Sequence, residues 1–292
     1  MSTPGISTAL ESLSCCVAES DSVEMRFGLR NCFPEAGDSR SEYVVPAWAV
    51  REDGRLHAGA LAVAADHVLG EVPYLCRRLG EWSLTTELTL DFVGTSAPVG
   101  SVLHVRGSAV RLEPRGGFVT GTISAGDSTP IVLASTRTAN VLSQPDEVDR
   151  RAPSSVVRRG VAPVGATLEE HLGIAYTTGD EGFIARLTRP EEWTNDFGIL
   201  HGGIWACLAE AAAARAIGRV NGDLSTAHLH ISYLRPGKPS AGINLAPNIF
   251  HVGKRCALTE VRGFSDDGTL CTVATITSRN IQPAFEQKRS HR

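Results

Sequence analysis

The sequence predicts an α+β protein built from two copies of one unit, each with a curved antiparallel sheet wrapped around a central helix. Three observations predict it: an internal repeat, one Ala-rich helical segment in each copy, and a run of strand-like segments after each helix. A single helix followed by several antiparallel strands is typical of the α+β class.

The repeat is clearest between residues 57–66 and residues 201–210, which lie 144 positions apart. Both segments begin with His, carry a Gly two positions later and end in a carboxylate. A second match aligns 88–92 with 229–233 at an offset of 141. The offset changes by only three positions between the two matches, as short insertions in loops would cause. The two halves are therefore predicted to be copies of one fold.

The domain boundaries follow from this repeat. The segment between the two copies is rich in charge, Ser and Pro, as linkers are. We therefore expect a leader segment at 1–42, a first repeat at 43–145, a linker at 146–164 and a second repeat at 165–292.

Each unit shows the same order of secondary-structure signals. A short extended run, at 43–50 and 182–189, precedes the Ala-rich segment, whose residues are strong helix formers. The next segment, at 86–92 and 227–233, alternates apolar and polar residues, which is the period of a strand with one buried face. Three further strands are predicted in each copy, at 102–110, 118–125, 131–141, 243–250, 257–264 and 269–281.

Composition and charge narrow the function classes. The chain has 42% apolar and 21% charged residues, and its net charge is -4. It lacks the basic excess that binding to a nucleic-acid backbone requires. It also lacks a secretory signal and a run of ~18 apolar residues, and its seven cysteines have neither zinc nor disulfide spacing. We expect a cytoplasmic protein without a nucleic-acid partner or membrane insertion.

Gly202 and Gly203 stand where the second helix is predicted to begin. The first N–H groups of a helix have no partner within it, and the helix dipole is positive there. Such a terminus binds an anion or polarises a carbonyl oxygen, and glycine lets a ligand approach the backbone closely. An oxyanion site at the Gly203 N–H and an ordinary glycine helix start both fit this pattern.

Two carboxylates lie within the Ala-rich segments, Asp66 in the first and Glu210 in the second. Burying a carboxylate among apolar residues is costly, which favours a functional role over a solvated helix edge. Glu210 is about 10 Å along the helix from Gly203, at ~1.5 Å per residue, so it cannot reach its own helix start. If the two helices pack antiparallel about a pseudo-two-fold axis, Asp66 faces Gly203 and Glu210 faces Gly59.

The stretch 195–203, with the sequence NDFGILHGG, is similar to the N-x-x-G-x-x-H-G-G motif of PaaI-type hot-dog acyl-CoA thioesterases. Residues 231–236 and 251–255 resemble later strands of that family. The resemblance covers 165–281 in the second half and, more loosely, 43–141 in the first. It implies a tandem double hot-dog fold and hydrolysis of acyl-CoA thioesters to free acid and CoA.

The resemblance also implies the roles of the site residues. A helix-start glycine N–H polarises the thioester carbonyl, an acid of the facing helix activates water or attacks directly, and a Ser or Thr on the next strand helps to hold the water. The better of two sites then combines Asn195, His201 and Gly203 of the second half with Asp66 and Thr86 of the first.

The pseudo-equivalent site has His57 and Gly59 opposite Glu210 and Thr226. It departs from the family pattern because Arg51 stands where the motif has Asn. We expect this second site to be weakened or lost.

Four side chains near the motif have two interpretations each. His201 either transfers a proton or orders its loop through hydrogen bonds to the backbone. Arg235, Lys254 and Arg255 either bind the phosphates of coenzyme A or are solvated strand ends.

His228 and His230 share a strand face, but no third ligand can be named beside them, so no metal site is predicted. Coenzyme A is expected only as part of the acyl-CoA substrate, with no separate cofactor. We also expect homo-oligomers of double hot-dog subunits, because hot-dog sheets commonly pair edge to edge.

Two alternatives to a thioesterase stay open. Hot-dog folds also serve as enoyl-CoA hydratases or dehydratases, which likewise use a His and a carboxylate. A non-catalytic acyl-CoA-binding module is the other alternative, because a fold does not fix a function. The spacing of nine residues from His to the acid, together with the HGG sequence, matches the thioesterase pattern better.

Overall fold

The computed structural model describes residues 22–35, 37–94, 96–126, 129–142, 166–179 and 182–280. The predicted linker and the first half of the predicted leader lie outside the described residues. Each half repeats one order of elements: a short helix, two strands, a long helix and four strands.

The elements of the first half are α1 (Val23–Arg26), β1 (Leu29–Glu35), β2 (Asp38–Val44), α2 (Ala62–Cys76), β3 (Glu81–Phe92), β4 (Val102–Glu113), β5 (Gly116–Ala125) and β6 (Thr129–Leu142). Those of the second half are α3 (Leu168–Leu172), β7 (Ile174–Gly179), β8 (Gly182–Leu187), α4 (Gly202–Gly218), β9 (Leu224–Tyr233), β10 (Ile243–Val252), β11 (Cys256–Phe264) and β12 (Leu270–Asn280). The long helix and the four strands predicted after it are thus confirmed in each half. No helix within these ranges is long and apolar enough to cross a membrane.

Two predicted boundaries in the first half are wrong. The extended run predicted at 43–50 is a strand only as far as Val44, and Ala47–Ala49 forms a 3-10 turn. The first repeat begins before residue 43, because β1 pairs with β2 and β2 pairs with β4. The inward positions of β2 include Ser39 and Ser41, which are buried. Buried serines hide the apolar alternation by which a strand is recognised in sequence.

The twelve strands of the described ranges form one antiparallel sheet in the order β1-β2-β4-β5-β6-β3-β9-β12-β11-β10-β8-β7. The order reads the same for both halves from the centre outward. At the centre β3 pairs with β9, with Leu88 opposite Ile231 and Leu90 opposite Leu229. All four of these side chains are fully buried, so the two units share one continuous core.

The long helices α2 and α4 pack against each other and against the sheet. Gly203 lies against Val63, whereas Gly59 lies against Cys207. Later residues of one segment therefore contact earlier residues of the other. The two helices are antiparallel, as predicted.

The short helix of each unit reaches across to the other unit. The Arg26 guanidinium of α1 lies 3.8 Å from the ring centre of Trp193. His171 of α3 stacks on Trp48, with ring centroids 4.1 Å apart. Burial, together with the charges of Arg26 and Arg189, lowers the pKa of His171 to about 3, so this ring is neutral and packs as an aromatic side chain.

Candidate active site

Gly203 and Asp66 meet where the start of α4 faces α2. The Gly203 N–H donates a hydrogen bond of 2.7 Å to Oδ2 of Asp66. Since α4 begins at Gly202, this N–H belongs to the first turn, where no carbonyl of the helix is available to it. The Asp66 side chain is buried. The structure thus places Asp66 opposite Gly203, as the antiparallel arrangement predicts.

A threonine of β3 holds the other oxygen of Asp66, but the prediction of Thr86 is wrong. The Thr85 hydroxyl donates to Oδ1 of Asp66 at 2.9 Å, whereas the Thr86 hydroxyl donates to the carbonyl oxygen of Arg137. The register of β3 against β6 shifts between Thr85 and Glu87, which makes Thr86 the extra residue of a β-bulge. The bulge reverses the alternation of inward and outward side chains.

The second half repeats this arrangement around Glu210. The Gly59 N–H donates to Oε2 of Glu210 at 3.2 Å, and the Thr226 hydroxyl donates to Oε1 at 2.6 Å. β9 has a matching register shift next to Thr226. Gly59 lies in the 3-10 turn Ala58–Leu61 ahead of α2, not in the first turn of an α-helix. The helix dipole therefore acts less directly on its N–H.

A small cleft with a volume of about 20 Å³ lies beside Glu210. Leu61 and Phe92 form part of its apolar wall. Arg51, which replaces the Asn of the motif, lines it together with Arg55. That this second site is weakened or lost stays a prediction.

His201 caps the start of α4 and also touches the acid. Its Nδ1 accepts the Gly203 N–H at 3.0 Å and lies 3.4 Å from Oδ2 of Asp66. Its Nε2 lies 3.2 Å from Oε1 of Glu24. Sequence reasoning missed Glu24 because it falls in the predicted leader. The available signal was Glu169, which stands 145 positions later at the equivalent place in α3.

Asn195 shapes the loop before α4. Its side-chain oxygen accepts the Phe197 N–H at 3.0 Å. Tyr233, which sequence reasoning also missed, donates its hydroxyl to the carbonyl oxygen of Gly202 at 2.8 Å. Burial and the negative charge of Asp66 raise the pKa of Tyr233 well above its usual value, so the phenol stays protonated and keeps this bond.

The three predicted phosphate ligands lie on the surface. Arg235 is exposed just after β9 and donates to the carbonyl oxygen of Leu270 at 3.1 Å. Lys254 and Arg255 are exposed in the turn between β10 and β11. Their binding to coenzyme A stays a prediction.

His228 and His230 have partners across the β3–β9 junction. Nδ1 of His228 lies 2.9 Å from Oδ1 of Asp91, and Nδ1 of His230 lies 2.9 Å from Oγ1 of Thr89. A different group has its potential ligand atoms within 4.8 Å of one another: Glu24, His67 and His201. These residues could hold a metal ion, which the sequence did not predict.

Comparisons with known proteins agree with this architecture. A family model described as the thioesterase superfamily matches residues 197–272. Among solved structures, a tesB protein from Mycobacterium avium subspecies paratuberculosis has 10% identity and a TM-score of 0.61, over 88% of this chain and 98% of that one. A putative thioesterase from Novosphingobium aromaticivorans has 16% identity and a TM-score of 0.61, over 86% and 98%.

The acyl-CoA thioesterase II TesB2 from Mycobacterium marinum has 11% identity and a TM-score of 0.59, over 89% of this chain and 98% of that one. No curated protein sequence matches this chain. Because the structural matches extend over both halves, they confirm the tandem double hot-dog fold. Together with the family match they also confirm the predicted resemblance to hot-dog thioesterases.

Proposed function

We propose that this double hot-dog protein, whose second half matches the thioesterase superfamily, hydrolyses acyl-CoA thioesters to free acid and CoA between Asp66 and Gly203. The family match supports thioester hydrolysis. One observation supports the choice of site: a buried carboxylate on one helix accepts the N–H at the start of the facing helix. A thioester carbonyl that takes over this N–H brings its carbon next to the carboxylate.

In the proposed reaction, the Gly203 N–H and the positive end of α4 stabilise the negative charge that develops on the carbonyl oxygen. Asp66 either removes a proton from the water that attacks the carbonyl carbon, or attacks that carbon itself and forms an anhydride that water then cleaves. In both routes the C–S bond breaks and CoA leaves as its thiolate. If water cleaves the anhydride at Cγ of Asp66, the acid leaves with an unlabelled Asp66 oxygen and Asp66 takes the label, so single-turnover hydrolysis in ¹⁸O-labelled water detects this route.

The nucleotide end of the substrate supplies a second point of recognition. In this proposal Arg235, Lys254 and Arg255 bind the phosphates of coenzyme A, since guanidinium and ammonium groups suit phosphate oxygens. The reaction uses no cofactor beyond the coenzyme A of the substrate. Homo-oligomeric association and a cytoplasmic location stay predictions.

The purified protein is expected to release thiol from acyl-CoA. A DTNB assay across short, medium, long and aromatic acyl-CoAs measures this release, and we expect saturable turnover of at least one class. Binding of an acyl-CoA without hydrolysis of any would support the binding module instead. Addition of water to an enoyl-CoA would support a hydratase.

Thr85→Val is expected to lower kcat by roughly tenfold or more, because a hydrogen bond to a carboxylate is worth about 1.5–3 kcal/mol. Valine keeps the shape of threonine and suits a strand, so β3 is preserved. Thr86→Val is the adjacent control, since its hydroxyl bonds only to the backbone of β6. A larger loss in the control than in Thr85→Val would remove Thr85 from the site.

A further inference from the structure

A glycine leaves open space beside the proposed catalytic carboxylate. Gly70 follows Asp66 by one turn of α2 and is half-buried. Within the described part of the chain, and apart from its own helix, a Cβ at Gly70 would contact only Oγ1 of Thr85, at 3.8 Å. Glycine weakens the interior of a helix, and neither a positive φ nor a close contact requires it here. The space that it leaves adjoins the two side chains that form the site.

Three half-buried aromatic side chains stand further along the same two elements. Phe197, in the loop before α4, stacks on Trp82 of β3 with ring centroids 4.3 Å apart. Its ring centroid lies 6.4 Å from that of Tyr74 in α2. Trp82 precedes Thr85 by three residues, which is about 10 Å along a strand. Tyr74 follows Asp66 by eight residues, which is about 12 Å along a helix. We call Tyr74, Trp82 and Phe197 the aromatic wall.

Hydrogen bonds within the motif loop hold Phe197 in this position. Oδ1 of Asn195 accepts the N–H of Phe197 at 3.0 Å and the N–H of Ile199 at 3.3 Å. Gly198 completes the turn with a φ of 71°, in the left-handed region that favours glycine. The aromatic wall is therefore preorganised by the loop, and Asn195 acts on it through the backbone.

The counterparts of the aromatic wall at the other site carry no apolar side chain. At the offsets of the repeat, 144 in the helix and loop and 141 in the strand, Tyr74, Trp82 and Phe197 correspond to Gly218, Asp223 and Asp53. Ala214 stands where the first copy has Gly70. The two halves thus share the opposed carboxylates, whereas the open space and the aromatic wall are particular to the site of Asp66.

We propose that the space beside Gly70 and the aromatic wall bind the acyl group of the substrate and limit it to about eight carbons, which makes medium-chain acyl-CoA the substrate class. This proposal rests on the proposed function of the site at Asp66. An extended chain advances by roughly 1.2 Å per bond, so about eight carbons span the distance to the wall. Each buried methylene raises kcat/KM by about fourfold, whereas a longer chain meets the stacked rings of Phe197 and Trp82.

The chain-length profile of the purified protein is the first test. In the DTNB assay, from acetyl-CoA to palmitoyl-CoA, we expect kcat/KM to rise with chain length to octanoyl-CoA and to fall by about tenfold or more at palmitoyl-CoA. A flat profile, or one with its maximum at palmitoyl-CoA, overturns the proposal.

Two variants change the space in opposite directions. Gly70→Leu fills it one turn beyond Asp66, and leucine suits a helix. We expect kcat/KM to fall by about tenfold or more for octanoyl-CoA relative to butanoyl-CoA. Phe197→Ala removes one ring of the wall, and we expect kcat/KM for palmitoyl-CoA to rise by about tenfold or more relative to octanoyl-CoA. The gain in Phe197→Ala carries the test if Gly70→Leu does not fold.

Ala214→Leu is the matched control, because it makes a similar change at the corresponding position of α4. We expect it to leave the chain-length profile unchanged. A profile that changes in Ala214→Leu and not in Gly70→Leu overturns the proposal and places the acyl group at the other site.

A binding measurement separates this proposal from the proposed function. S-octyl-CoA, a thioether that cannot be hydrolysed in this way, is expected to change the fluorescence of Trp82, and Trp82→Phe is expected to abolish the change. We expect Gly70→Leu to raise the Kd by about tenfold or more. If wild type binds S-octyl-CoA so but hydrolyses no acyl-CoA, the proposed function fails and the acyl contacts stand. A change that coenzyme A alone produces, or that persists in Trp82→Phe, overturns them, as does hydrolysis without any change.

Discussion

Asp66→Asn is expected to lower kcat for thioester hydrolysis by about 10²- to 10⁴-fold. Asparagine has the shape of aspartate, and its carbonyl oxygen can still accept the Gly203 N–H, so the contact between the helices is kept. It can neither take a proton from water nor attack the carbonyl carbon. The DTNB assay with the acyl-CoA that wild type hydrolyses best measures the loss, and an unchanged Tm shows that the variant is folded.

Glu210→Gln is the corresponding change at the other site, where the same two kinds of hydrogen bond hold the carboxylate. We expect this variant to keep most of the activity, because Gly59 lies in a 3-10 turn and not at the start of an α-helix. Because Glu210 lines a small cleft, the comparison of the two variants tests both sites. Full activity in Asp66→Asn with loss in Glu210→Gln would assign the reaction to that cleft.

The internal repeat made the fold and the opposed carboxylates predictable from sequence. A repeat with one helix per copy leaves few ways to build a shared core, and antiparallel helices bring the middle of each beside the start of the other. Nothing more is needed to place Asp66 opposite Gly203 and Glu210 opposite Gly59. These contacts depend on helix geometry alone, which is regular enough to be extrapolated.

The choice of threonine failed because strand geometry is not regular at that point. The alternation through Leu88 and Leu90 places Thr86 inward, but a bulge adds one residue and leaves no mark in the apolar pattern. The repeat does indicate the correct residue. At the offset of 141 that aligns the two strands, Thr226 corresponds to Thr85. Where a strand is irregular, the second copy is therefore a better guide than the period of two.

Glu24 could not be predicted from the sequence for a different reason. Its partners are His67 in α2 and His201 directly before α4, which lie 43 and 177 positions further along the chain. No local pattern links such positions, and the strands that join α1 to the first unit bury serines. Only the packing of α1 across the boundary between the units brings the three side chains together.

Gly203→Ala is expected to have a large effect through packing. The new Cβ would clash with the Cα of Val63 and would lie 2.9 Å from the carbonyl oxygen of Ala62. Both are backbone atoms of α2, so no side chain can yield and the helices must separate. Overpacking of this kind costs about 3 kcal/mol, which lowers Tm by roughly 5 °C in a chain of this size.

The same separation is expected to lower kcat by about 10²-fold, because the N–H and the carboxylate sit on different helices and a displacement of about 1 Å is enough. Gly218→Ala, at the other end of α4 and with open space around it, is the control. Alanine favours a helix over glycine by up to about 1 kcal/mol, so its Tm should hold or rise slightly. Calorimetry measures the Tm of both variants, and the DTNB assay measures their kcat. If Gly203→Ala behaves like the control, the close approach of α2 and α4 is wrong; if stability and activity fall together, one glycine serves both packing and chemistry.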